Sequence, residues 1–203
     1  KCQAFAGTLT ASLKLMASGH LKVRSLWPYA ALAFGMALLG AWTLREVSEA
    51  DWLERAVPLL LLLAAGYFGF VRLPHTSSKV IPVFGILAVA GIASIGFYDG
   101  FFGPGTGSFF VFAYVRLLGY DFLNASASAK LMNTATNFSA LALFTWQGHV
   151  WWHLAVPMAL ANVVGSLIGT RLALKHGAGF VRYAFLAVVS ALILKTAYDG
   201  FFR

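Results

Sequence analysis

Charge and cysteine are what this chain of 203 residues has least of. Lys, Arg, Asp and Glu together make up 11% of it and hydrophobic residues 60%, where an ordinary soluble domain is about 25% charged and about 45–50% apolar. A soluble fold of this size cannot hide so much apolar surface, which excludes a water-soluble enzyme or nucleic-acid module. The single cysteine, Cys2, excludes an intramolecular disulfide, a CxxC pair and a cysteine metal site. No Ser-His-Asp set, HExxH or Walker-type loop occurs, so no ATP-driven engine is expected within the chain. His75, His153 and His176 are scattered without metal-ligand spacing. There is also no initiator Met and no signal peptide.

What is present is a succession of apolar stretches long enough to cross a bilayer. Eight are expected, at roughly 2–18, 26–45, 55–73, 80–98, 105–118, 124–146, 151–172 and 180–200. The fifth is short for a full span at 1.5 Å per residue. It can be tilted, re-entrant or half a helix. The net charge of +8 comes from Lys and Arg set singly at the ends of these stretches, which is orientation chemistry rather than a nucleic-acid stripe. Lys22 and Arg24, Arg72 and Lys79, Arg116 and Lys130, and Arg171, Lys175 and Arg182 mark the basic, cytoplasmic connections. The 99–104 and 147–153 connections hold no Lys or Arg. Strict alternation then has the fifth segment crossing once. Trp27, Trp52, Trp146, Trp151 and Trp152 fall at segment ends, as an interfacial belt does.

Sliding the chain on itself by 129 residues aligns Lys1 with Lys130, Gly19-His20 with Gly148-His149, Pro28 with Pro157 and Gly40 with Gly169, nine identities over 44 ungapped positions in all. The loop after Gly19-His20 is basic and the loop after Gly148-His149 is not, so the two copies are expected to lie upside down relative to each other. Inverted repeats of this kind mark many secondary transporters. The expected organisation is a remainder of the first repeat over 1–79 and a second repeat over 80–203. By the same offset, about fifty residues or more with two further segments are expected ahead of Lys1, for five plus five segments. The echo of 98–102 in 198–202 has a different spacing and does not fit this repeat.

The densest chemical signal is Gly96-Phe-Tyr-Asp-Gly-Phe-Phe-Gly-Pro-Gly-Thr-Gly-Ser108, a glycine-rich break between two apolar segments with a carboxylate, Asp99, near its start. Gly103, Gly105 and Gly107 permit backbone conformations closed to other residues and close approach to a ligand. Pro104 suits the first position of a new helix, whose free N–H groups and positive dipole end would face the break as an anion site. Thr106 and Ser108 add hydroxyls. A tight helix–helix turn packed by small residues is the alternative. Asn133, Thr134 and Asn137 recur at helical spacing on one face, which either lines a cavity or bonds across helices. Asn162 with Ser166 repeats the pattern more weakly, as an interhelical contact.

The glycine-rich stretch resembles the signature of the TauE/SafE sulfite-exporter family, also called the 4-toluene sulfonate uptake permease family, approximately Gly-Phe-hydrophobic-Asp-Gly-hydrophobic-Phe-Gly-x-Gly-x-Gly. The likeness continues through Asn124-Ala-Ser-Ala-Ser-Ala-Lys130 with Asn133 and Asn137, and through Gly165-Ser-Leu-Ile-Gly169. Lys1-Cys-Gln-Ala resembles the corresponding first-half segment, and the first signature copy is missing. The resemblance implies an all-α, multi-pass permease of the bacterial inner membrane, not an enzyme and without cofactor or metal, for sulfite, organosulfonates or related small anions. Matched positions are Asp99, Gly100, Gly103, Gly105, Gly107, Lys130, Asn133 and Asn137.

On this reading the chain is an alternating-access transporter in a lipid bilayer, with a small anion as substrate and a proton or sodium as coupling ion. A homo-oligomer is one assembly open to it, and nucleic acid is not a partner. The anion falls to Gly103, Gly105, Thr106, Gly107, Ser108, Lys130, Asn133 and Asn137. Asp99 is the coupling group, its alternative being a solvated carboxylate at the outer face. Lys130 supplies positive charge or snorkels to the interface. His20 and His149, equivalent in the repeat, are either polar helix ends or parts of a gate or relay. A passive anion channel, or an intramembrane enzyme using the same pocket, is the competing function.

Overall fold

The computed structural model describes residues 1–21, 23–47, 82–103 and 105–202. These residues are all-helical, with no strand among them: α1 (Cys2–Ala17), α2 (Val23–Val47), α3 (Pro82–Phe101), α4 (Thr106–Leu118), α5 (Phe122–Trp146) and α6 (Trp152–Phe202). The expected segment at 55–73, with Trp52, lies outside the described residues, as does Pro104. Segments seven and eight form one helical run broken only at Gly177, whose φ of 73° and ψ of −167° interrupt the helical backbone. The expected loop there shrinks to that residue.

Helix ends follow local chemistry. Asp121 caps α5, its carboxylate accepting from the backbone N–H of Leu123 at 2.9 Å and of Asn124 at 3.1 Å. α1 and α5 end alike. Gly19 and Gly148 both have positive φ, the N–H of His20 donates to the Leu15 carbonyl and that of His149 to the Phe144 carbonyl, and Gly19 and Gly148 donate to Met16 and Thr145. This is the Schellman closure. Each of its bonds recurs at the offset of 129 found in the sequence, and Pro28 and Pro157 sit inside the helices that follow.

α5 is the central helix. Between Leu123 and Ala140 most of its residues are buried, against α1, α2 and α4. α2 and α3 pack backbone to backbone. A Cβ on Gly40 would run into the Phe97 carbonyl, and one on Gly100 into that of Ala37. Such contact is how small residues hold helices together where lipid removes the usual hydrophobic drive.

Apolar side chains elsewhere face outward. Trp27, Trp42, Trp146, Trp151 and Trp152 are exposed at or near helix ends, and Leu154, Val156, Leu160, Val164 and Ile168 form an exposed flank on α6. α2 and α6 are long and apolar enough to cross a membrane. An exposed apolar surface of this extent is stable in lipid and not in water. The molecule is a helical membrane protein.

Candidate functional site

The break between α3 and α4 is narrower than the glycine-rich stretch suggests. α3 continues through Asp99 to Phe101, and its end closes when the N–H groups of Phe102 and Gly103 both donate to the Tyr98 carbonyl. Gly103 and Gly105 then carry φ of 87° and 80°, a region closed to most residues, and the chain restarts as α4. No side chain among the described residues caps α4. The Thr106 hydroxyl donates back to the Gly103 carbonyl at 3.0 Å and braces the turn.

The break lies beside the middle of α5. A Cβ on Gly107 would stand 3.0 Å from Asn133 Nδ2, and Asn133 is near the midpoint of the 25-residue α5. With 13 residues, α4 is only about 20 Å long. It therefore starts beside the middle of α5 and runs to the Leu118 end.

Asp99 is 2% exposed, so it is not a solvated carboxylate. Lys1 Nζ donates to Asp99 Oδ1 at 2.8 Å and to the Asp99 carbonyl at 2.7 Å. The fully buried Thr136 hydroxyl donates to Asp99 Oδ2 and also lies 3.2 Å from the Asn133 carbonyl. Lys1 Nζ sits directly over Gly103, 2.9 Å from where a Cβ would be. A carboxylate, an ammonium, a hydroxyl and an uncapped helix start thus meet at one point, held by α1, α3, α4 and α5. Removing a carboxylate and an ammonium from water is costly unless each is paired and hydrogen-bonded, and here both are.

The other expected residues separate from this cluster. Ser108 and Lys130 line a cavity of about 680 Å³ between α1, α5 and α6, together with Ser126, Asn162, Ser166 and Thr170. No acidic side chain among the described residues pairs with Lys130. Asn137 Nδ2 donates to the Asn133 carbonyl at 2.7 Å. The Thr134 hydroxyl donates to the Lys130 carbonyl and meets Ser12 Oγ at 3.2 Å, joining α5 to α1. Asn133, Thr134 and Asn137 do not line this cavity. Asn133 Oδ1 is buried with no partner among the described residues. Asn162 and Ser166 do contact another helix: Ser166 donates to the Gly7 carbonyl at 2.5 Å, and Asn162 fills the space above Gly7. They also face the large cavity.

Two participants were not singled out from sequence in these roles. Lys1 stands out in sequence as the repeat mate of Lys130 and as the start of the Lys1-Cys-Gln-Ala resemblance, and its partner lies 98 positions away. Thr136 lies within the polar run 133–137, one residue before Asn137, which is the signal that could have found it.

The chain matches the family model described as "Sulfite exporter TauE/SafE" over residues 1–196. It is 34% identical over 204 residues to the probable membrane transporter protein ORF9 of a Sinorhizobium species, covering 98% of this chain and 76% of that protein. It is 30% identical to a probable membrane transporter protein of Haemophilus influenzae, over 100% of this chain and 80% of the relative. To the probable membrane transporter protein YfcA of Escherichia coli it is 30% identical, with coverages of 98% and 74%. No solved structure matches it.

Proposed function

The chain belongs to the sulfite exporter TauE/SafE family and is a membrane transporter; from that premise we propose that it is a secondary transporter of small sulfur-containing anions such as sulfite or organosulfonates, ion-coupled and working by alternating access across the bacterial inner membrane. The observation that carries this reading is the interrupted helix pair α3–α4, which brings a buried, ion-paired carboxylate to the middle of the bundle. Discontinuous helices near the bilayer midplane are how many secondary transporters build substrate and ion sites. A buried intramembrane carboxylate is costly and is normally retained for ion movement.

In this mechanism the anion occupies the large cavity, where the Lys130 ammonium supplies charge and the Ser108 hydroxyl a directional donor. The 103–107 break places the start of α4, with its N–H groups, near the same depth. Asp99 is the coupling group. The two halves related by the 129-residue offset lie inverted in the bilayer; the matching ends of α1 and α5 support their equivalence.

The test is flux of sulfite, thiosulfate and 4-toluenesulfonate into proteoliposomes holding the full-length protein, with and without a proton or sodium gradient. Saturable, gradient-driven flux is expected, and it is expected to fall to background in Lys130→Gln. Flux that does not saturate and ignores both gradients would instead identify a passive channel.

A further inference from the structure

Asp99 is buried, and each of its oxygens accepts a hydrogen bond. Oδ1 and the backbone carbonyl accept from Lys1 Nζ, and Oδ2 accepts from the Thr136 hydroxyl. The neighbouring backbone oxygens are engaged too. The Asn133 carbonyl accepts from Asn137 Nδ2 at 2.7 Å and has the Thr136 hydroxyl 3.2 Å away, and the Gly103 carbonyl accepts from Thr106. The fully buried Thr136 hydroxyl therefore stands between two acceptors on two helices, the carboxylate of α3 and the carbonyl of α5. It carries one hydrogen and can give it to one of them at a time.

We propose that Thr136 is the positioning residue that lets Asp99 take up and release a proton, and that this arrangement makes the proton, rather than sodium, the coupling ion. The proposal rests on the transport reading above and adds to it the identity of the ion and the residue that selects it. With Asp99 ionised, the Thr136 hydrogen lies on Oδ2. When a proton from solution bonds to a lone pair of Oδ2, the new acid O–H donates to the Thr136 oxygen, and the Thr136 hydrogen turns to the Asn133 carbonyl. One O–H bond forms, none breaks, and the carboxylate becomes a neutral acid. Both oxygens stay paired in each state. Oδ1 is held by Lys1, which leaves Oδ2 as the oxygen for the proton.

Sodium does not suit the same arrangement. A hard cation takes a shell of oxygens with lone pairs free to face it. Here the oxygens of Asp99 and the carbonyls of Asn133 and Gly103 face donors, which a sodium ion would have to displace together. Asn133 Oδ1 is buried without a partner among the described residues, and a single oxygen does not make a shell. The Asn133 carbonyl also biases the proton step. It already serves the helix ladder of α5 and the Asn137 amide, with which a turned Thr136 hydrogen has to share it. That competition favours the hydrogen on Oδ2, and so the ionised form of Asp99. The groups facing Asp99 are Lys1 from α1, Thr136 from α5 and the adjoining Tyr98 of α3. α2 meets this part of α3 with Ala33, Ala37 and Gly40, none of which titrates.

The test uses the full-length protein in proteoliposomes with 4-toluenesulfonate, a strong-acid anion whose own charge does not change with pH. A pH gradient should drive its accumulation, and a sodium gradient at equal pH should not. With the same pH on both sides, the pH of half-maximal exchange should rise by about one unit in Thr136→Val, because the carboxylate loses a charge-assisted bond and the acid only a neutral one about half as strong. Thr136→Ser should return it to the wild-type value. Asn137→Leu, which frees the Asn133 carbonyl for the turned hydroxyl, should raise it as well. A hydroxyl that merely packs α5 against α3 would alter stability and leave these midpoints alone. Where a variant is too inactive to assay, infrared titration in nanodiscs of the carboxylic-acid band that Asp99→Asn lacks reads the same midpoint without transport. Accumulation driven by sodium at equal pH, a wild-type midpoint in Thr136→Val, or a midpoint unmoved or lowered in Asn137→Leu would overturn the proposal. Saturable sulfonate flux beside any of those results would leave the transport reading standing. Absence of saturable flux of sulfite, thiosulfate and the sulfonate alike would remove both.

Discussion

At the scale of single residues, the chemistry gathers on Asp99. Lys1 and Thr136 bind its two carboxylate oxygens, the Thr136 contact buried and the Lys1 contact partly so. Thr136→Val leaves Asp99 Oδ2 without that donor, a loss of about 1–3 kcal/mol for a buried group. Lower thermal stability is expected, and Thr136→Ser should restore it. Equal stability of the valine and serine variants would show that the hydroxyl is not needed. Gly103 has φ of 87° and Lys1 Nζ lies 2.9 Å from where its Cβ would be. Gly103→Ala should therefore displace the ion pair as well as strain the turn, and reduce flux even where the protein still folds.

Much of this residue-level picture is legible in the sequence and some is not. Glycines at 103 and 105, a few residues after a carboxylate, announce an irregular backbone, because glycine takes up positive φ at no steric cost. What pairs with Asp99 is not legible. Lys1 is remote in sequence, and its ammonium could as well have pointed to a membrane surface. Asn137 shows the limit of helical spacing as a guide. Its position on the polar face is as expected, yet its amide bonds the carbonyl one turn back. Periodicity places a residue on a face and leaves open which partner it takes there.

At the scale of elements, α2 and α3 form a pair packed backbone to backbone. Gly40 and Gly100 let these backbones touch, and neither site has room for a Cβ. Gly40→Leu or Gly100→Leu should cost on the order of 1–3 kcal/mol from overpacking, read as a fall in the unfolding midpoint in detergent. Among the described residues, helix positions are readable from hydropathy, since apolar stretches of this length have one stable form in lipid. Two boundaries are not. The break between α3 and α4 is shorter than the glycine content implies because α3 closes on its own Tyr98 carbonyl. The basic stretch around Gly177 is helical on both sides, so charge there does not mark a loop.

At the scale of the whole molecule, helices from the two sequence copies meet around one interior point. α1 and α5, mates in the repeat, touch through Ser12 and Thr134, and α1 reaches α3 through Lys1. If the copies are inverted as proposed, the 147–151 turn faces the periplasm and Gly177 the cytoplasm. Single cysteines placed at Gln147 and Lys175 should then react with an impermeant thiol reagent from opposite sides, and labelling of both from one side would contradict the inversion.

The most direct test of the central claim, that a buried carboxylate couples ion movement to anion transport, is 4-toluenesulfonate flux in proteoliposomes containing Asp99→Asn, measured beside the wild type with and without a pH gradient. The account predicts saturable, gradient-stimulated flux in the wild type, and loss of that stimulation in an equally expressed, folded variant. Unchanged gradient-stimulated flux in Asp99→Asn would contradict it.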